Sequence, residues 1–424
     1  MKKLPGFRLL WQALQSRHHA HPDDRETLDG ELPNIDERIT DTGYYNDISF
    51  KYHSAQVVCM MLLAVFLAVT LMTDAKALSA ENLIYFVKDL STTITEREQE
   101  ARDTYVYSAD ENNVYSLYRE GLVVLGKQKL TVFTATGREA YSYLLAFQHP
   151  ALASSGRYLA AYDMGGSSVN LYNSFTCVKE ITTDHALRTV ALSDTGYYCL
   201  VTAGSEYASE VLLYNDRHHM INRYRLKEYT IGAQLKRDGS EVMLVSVATE
   251  LGRMVTHIDF ATPGKSEWAG SFEVKDAYPV ACRYTEEGNI SLLSTDAWYL
   301  FSREGKELNR YPFSSSEIVS YRESGDRQIL ICRDHLSDLK VSVLVFDKTG
   351  HLEYNVSVSN AVRDTYYADG VLAVLCDNAL LVWRDTFDDT PQVVELKGSY
   401  HTLLACNNEE FFLCGNAKAI AVKP

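Results

Sequence analysis

Residues 151–166, ALASSGRYLAAYDMGG, gather the groups that hydrolases and phosphate loops use: two serines, an arginine, an aspartate and paired glycines. A nucleophilic serine needs an adjacent base, and a phosphate loop needs a helix whose N-terminus faces the anion. Here MGGSSV at 164–169 runs into the strand-like VNLY, with no helix behind it. The serines are also interchangeable. In turns of the same form, Ser154 and Ser155 give way to Asp194 and Thr195, to Arg237 and Asp238, and to Glu286 and Glu287. A nucleophile tolerates no such exchange, so the stretch is a turn between strands. Only Asp163 and Met164, on the loop after the strand, stand as candidates for a binding face.

Other chemistry-bearing residues are dispersed. HHAHPDD places His18, His19, His21, Asp23 and Asp24 together in a polar tail, where ligands not fixed in space make only a weak metal binder. His149, His185, His218, His219, His257, His351 and His401 are scattered along the chain and read as loop histidines. No G-x-S-x-G, HExxH, Walker or G-x-G-x-x-G motif occurs, so no catalytic residue, cofactor or metal is assigned. The eight cysteines form no CxxC pair and read as small buried apolar groups. A net charge of −15 opposes a phosphate backbone and excludes nucleic acid as the expected partner.

The elements that must position these residues begin with SAQVVCMMLLAVFLAVTLMT at 54–73, twenty residues without a charge. Such a length spans about 30 Å of hydrocarbon as a helix, so Ser54, Val57, Leu62, Phe66, Val69 and Thr73 mark a single transmembrane helix. Residues 1–53 form a polar, largely disordered tail. In 74–101, Ser79 as N-cap and the spacing of Leu83, Phe86, Val87 and Leu90 predict an amphipathic juxtamembrane helix and linker. Lys2, Lys3 and Arg8 favour a cytoplasmic tail and an extracytoplasmic C-terminal domain at the cell membrane.

From 102 to 424 a turn recurs, ending at Gly121, Gly156, Gly196, Gly239, Gly288, Gly325 and Gly370. A spacing near forty residues, with four strand-like runs between turns, predicts an all-β propeller. The last segment, HTLLACNNEEFFLCGNAKAIAVKP, holds three strands, and Thr104 to Ala109 supplies the fourth. Eight blades result, seven continuous and one shared between the chain ends, with seven blades as the alternative count.

The turns SSGRYLA and DTGYYCL resemble those of the WD40-like, lactonase-type and quinoprotein-like propellers. With the membrane helix, the layout resembles an uncharacterised Firmicutes family of single-pass membrane propellers. The resemblance implies a fold rather than an activity. It places Asp163 and Met164 on the face where propellers bind. Three tryptophans at unlike positions, Trp268, Trp298 and Trp383, do not match the docking motifs of quinone-dependent propeller dehydrogenases. The expected function is a non-enzymatic binding or scaffold module at the cell envelope, rich in tyrosine, with a protein or envelope-polymer partner. The alternative is a hydrolase or lyase using the central funnel.

Overall fold

The computed structural model describes residues 51–58, 60–61 and 104–424, apart from 120, 135–136, 175, 314–315, 325–326, 335–340, 360, 385–389 and 406–408. Residues 51–58 and 60–61 are helical, and Val57, Val58, Met60 and Met61 are each more than half exposed. Leu62, Phe66, Val69, Thr73 and the 74–101 segment lie outside the described residues. Among the described residues no helix is long and apolar enough to cross a membrane.

Strands β1–β32 assemble into eight antiparallel four-stranded sheets. Seven are continuous in sequence: β2–β5 (114–144), β6–β9 (150–182), β10–β13 (187–226), β14–β17 (229–275), β18–β21 (279–312), β22–β25 (316–358) and β26–β29 (362–395). The eighth combines β30–β32 (402–422) with β1, Thr104–Val106. The fold is therefore the eight-bladed propeller, with the shared last blade. The recurring turns at Gly121, Gly156, Gly196, Gly239, Gly288 and Gly370 each lead from the first to the second strand of a sheet, and Gly325 lies outside the described residues.

The strand sequences explain their places. Second strands such as GLVVL and ISLLS are buried at every residue, because both faces of a middle strand pack on neighbouring blades. Fourth strands such as EAYSYL alternate half-buried and exposed positions, as an edge facing solvent on one side must. Between blades lie eight apolar layers, one per interface. Leu200 and Leu212 of blade 3 meet Leu171 of blade 2, and Leu344 and Phe346 of blade 6 meet Trp298 of blade 5. Each such side chain contributes about 1.5–3 kcal/mol on burial. The layer between blades 8 and 1 contains Tyr105 from β1, edge-on to Phe133 and Phe412 at 5.5 and 5.0 Å. Tyr107, just past β1, donates its hydroxyl to the Gly415 carbonyl at 2.6 Å.

Polar contacts tie neighbouring blades at both the turns and the inner strands. At one end of the ring, the Gly156 amide donates to Asp194 Oδ1 at 2.6 Å, the Asp194 amide to the Arg237 carbonyl at 2.9 Å, and Thr195 Oγ1 to the Asp238 carbonyl at 3.1 Å. The variable residues of the recurring turn thus join blades 2, 3 and 4. On the inner strands, Arg322 of blade 6 donates to the buried Asp364 of blade 7 at 2.6 Å and to the Leu403 carbonyl of blade 8 at 3.0 Å. The buried thiols are inert at neutral pH: burial pushes Cys332 and Cys376 up to about 11 and Cys199 up to about 12. None of the six described cysteines is in a disulfide.

Candidate functional site

Antiparallel strands alternate direction, so second-to-third turns and blade-to-blade connectors share one end of the ring. Asp163 and Met164 lie there, between β7 (Leu159–Asp163) and β8 (Ser168–Tyr172). Asp163 is buried, and its Oδ1 accepts the backbone amides of Gln148 at 2.9 Å and His149 at 2.7 Å. Met164 donates its amide to the His149 carbonyl, and Gly165 donates to Leu187 of the next blade. Gly165 adopts φ +83°, and a Cβ on Gly166 would stand 2.4 Å from Asp163 Oδ2. Both glycines are therefore required by the turn. The Asp163 carboxylate ties this loop to the preceding connector, and Met164 is left half exposed.

Beside this loop, blade 3 opens a pocket of about 300 Å³ at the same end of the ring. Asp184 and His185 reach it from the connector before β10 (Leu187–Leu192), and Glu206 and Tyr207 from the turn before β12 (Ser209–Tyr214). Arg223 and Arg225 reach it from β13 (Met220–Leu226). At its base Glu210, almost fully buried, lies 3.2 Å from Arg225 Nε and 3.6 Å from Arg223 Nε. The register accounts for this: Glu210 pairs directly with Arg225 across the β12–β13 ladder. The Arg225 guanidinium also stands 5.6 Å from the centre of the Tyr207 ring.

A second arginine–tyrosine pair flanks the pocket. Arg188 on β10 donates to Ser209 Oγ at 2.6 Å, to the Ala208 carbonyl at 2.8 Å and to the Thr230 carbonyl at 3.2 Å. This joins blade 3 to the first strand of blade 4. Its guanidinium lies 3.6 Å over the ring of Tyr229, which is 53% exposed. Tyr207 and Tyr229 are thus held by cations on one side and open to solvent on the other. The arrangement suits a polar chain: aromatic surfaces of fixed orientation, two guanidinium donors, and carboxylates beside them.

Sequence reasoning pointed to the end of the ring that holds this pocket, through Asp163 and Met164, but not to the pocket itself. The signal for it is Glu210 inside the apolar run SEVLLY, opposite alternating arginines in NRYRL. Among the described residues, one trio of histidine and carboxylate side chains lies within metal-ligand reach: Glu250, His257 and Glu273. All three belong to blade 4 and none to an inner strand. His18, His19 and His21 lie outside the described residues.

Many solved structures match the fold, and three of them align as follows. BamB from Moraxella catarrhalis aligns with TM-score 0.52 at 10% identity, covering 76% of this chain and 99% of that one. The dihydro-heme d1 dehydrogenase NirN in complex with DHE gives 0.51 at 9% identity, over 74% of this chain and 70% of that one. A eukaryotic initiation factor gives 0.51 at 10%, over 76% and 85%. Identities this low establish a common propeller fold and nothing about activity. Among curated proteins none matches this sequence. A family model, described as a family of unknown function (DUF5711), matches residues 93–385.

Proposed function

Taking as premise that the chain belongs to the DUF5711 family, we propose that it is a membrane-anchored propeller that binds a protein or envelope polymer at the cell surface. The observation that carries this reading is the blade-3 pocket, with Tyr207 and Tyr229 held open to solvent by Arg225 and Arg188. Eight packed interfaces make the support under it rigid, so a ligand is met by a surface that is already ordered. Met164 extends the same face on the neighbouring blade. The uncharged run 54–73 is the anchor, and its described start, helical with exposed valines and methionines, agrees with a lipid-facing role. The tail is cytoplasmic and the propeller extracytoplasmic in this reading.

The test uses the full-length chain, expressed in cells and crosslinked before extraction. Tyr207→Ser with Arg225→Glu should lose the species that the wild type retains, while Lys348→Glu, on another blade, should keep it. Equal retention by all three would remove the pocket from the function. Protease added to intact cells should degrade the propeller, and complete protection would reverse the orientation.

A further inference from the structure

The hairpin of blade 4 is built longer than its counterparts. Its strands β15 (Val242–Glu250) and β16 (Arg253–Ala261) have nine residues each, against five in the corresponding strands of blades 1, 2 and 5. The added length ends in a tight turn in which Leu251 and Gly252 both take positive φ, 50° and 79°. That pair of conformations is the turn that joins two strands without splaying them. The extension places Glu250 at the end of β15 and brings it to His257 of β16.

His257 stands opposite Glu273 of β17 (Trp268–Lys275) in the β16–β17 ladder. Its Nδ1 lies 3.8 Å from Glu273 Oε1, and its Nε2 lies 3.5 Å from Glu250 Oε1. One ligand atom from each of the three residues falls within 4.8 Å of the other two. Yet His257 Nε2, shielded from solvent, makes no hydrogen bond. At 3.5 Å the Glu250 carboxylate is an ion-pair neighbour of this nitrogen rather than a well-formed hydrogen-bond acceptor. The two carboxylates are about half exposed, so the trio is open to ions from solvent.

From this geometry we propose that Glu250, His257 and Glu273 form a binding site for a divalent transition-metal ion of the zinc class, clamping the tip of the blade-4 hairpin to its outer strand. An imidazole nitrogen selects such an ion over calcium or magnesium, which prefer all-oxygen sites. Three protein ligands leave a position for water or for a side chain of a partner. The ion joins β15, β16 and β17 at the end where Leu251 is fully exposed and so fixes the direction of that apolar tip. The site is independent of the blade-3 pocket and of any partner bound there.

The experiment is a calorimetric titration of the full-length chain in detergent. His18, His19 and His21 are replaced by Gln in every sample, so that the tail contributes nothing. Zinc chloride should bind at one ion per chain, with Mn2+ weaker and with no heat from Ca2+ or Mg2+. His257→Asn and Glu273→Gln should each weaken zinc by about tenfold or more. Thermal melts with chelator present should be unchanged for Glu273→Gln, because that side chain is half exposed. Cobalt should report the same site by visible absorption that is lost in His257→Asn. Equal zinc affinity in wild type and both variants overturns the proposal, as does a calcium response equal to that of zinc.

Discussion

At the scale of single residues, partly buried charges stitch blades to one another. Glu241, at the turn into β15, accepts from Arg303 of blade 5 through both oxygens at 2.7–3.1 Å, and from the Tyr284 hydroxyl at 3.0 Å. Lys236 lies 3.1 Å away. Burial works to raise this carboxyl, and the hydrogen bonds from Arg303, Lys236 and Tyr284 outweigh it, so its pKa falls below the ordinary 4.5. A lowered acid pKa stabilises the fold above the unfolded value, and that contribution is lost as pH falls through the folded value. Glu241→Gln should therefore cost about 1.5–3 kcal/mol at neutral pH, the usual worth of hydrogen bonds to a charged group. Below the normal glutamate range, the melting temperatures of variant and wild type should converge. A gap that is independent of pH would assign the loss to packing.

At the scale of elements, the third-to-fourth turns seat one blade on the next. Gly350, between β24 (Val341–Phe346) and β25 (Leu352–Val358) of blade 6, adopts φ +82°, and a Cβ there would stand 2.7 Å from the Trp298 ring of blade 5. Gly288 has φ +81° with nothing within 4 Å. Alanine at both positions therefore separates two effects. Gly288→Ala should cost about 1–2 kcal/mol from backbone strain alone. Gly350→Ala should cost about 1–3 kcal/mol more from overpacking, read from urea midpoints. These elements explain what was legible in the sequence. Blade count and strand order were, because positive-φ turns demand glycine and middle strands demand unbroken apolar runs, as at Gly196 before YCLVTA. The pocket was not, because Glu210 meets Arg225 only through the β12–β13 register, and the flanking Arg188 reaches Tyr229 across two blades. Nor was the Glu250–His257–Glu273 trio, whose members lie seven and sixteen residues apart on three strands, while His257 alone reads as one more loop histidine.

For the whole molecule, closure rests on a strand of three residues. β1 pairs Thr104, Tyr105 and Val106 with Ile420, Ala419 and Lys418 at the outer edge of blade 8. Tyr105 is 2% exposed and belongs to the layer between blades 8 and 1, so Tyr105→Ala should cost about 3–5 kcal/mol, as loss of a buried aromatic does. Because the ring depends on that seam, the loss should appear as a single lowered unfolding transition by calorimetry. A separate early transition for blade 8 would show that the other blades stand without it.

The shared blade also sets an order of events in time. Tyr107 and the Gly415 carbonyl that receives its hydroxyl are 308 positions apart in the chain. At about 5–20 residues per second, a ribosome needs roughly 15–60 s to deliver the second after the first. Through that interval β1 has no partner strand, while blades 1 to 7 emerge one after another, each free to pair internally once its fourth strand has been made. Tyr105 and its neighbours must stay unpaired, or be shielded by something other than this fold, until the final turn emerges. The last hydrogen bonds formed are thus those that join the beginning of the domain to its end.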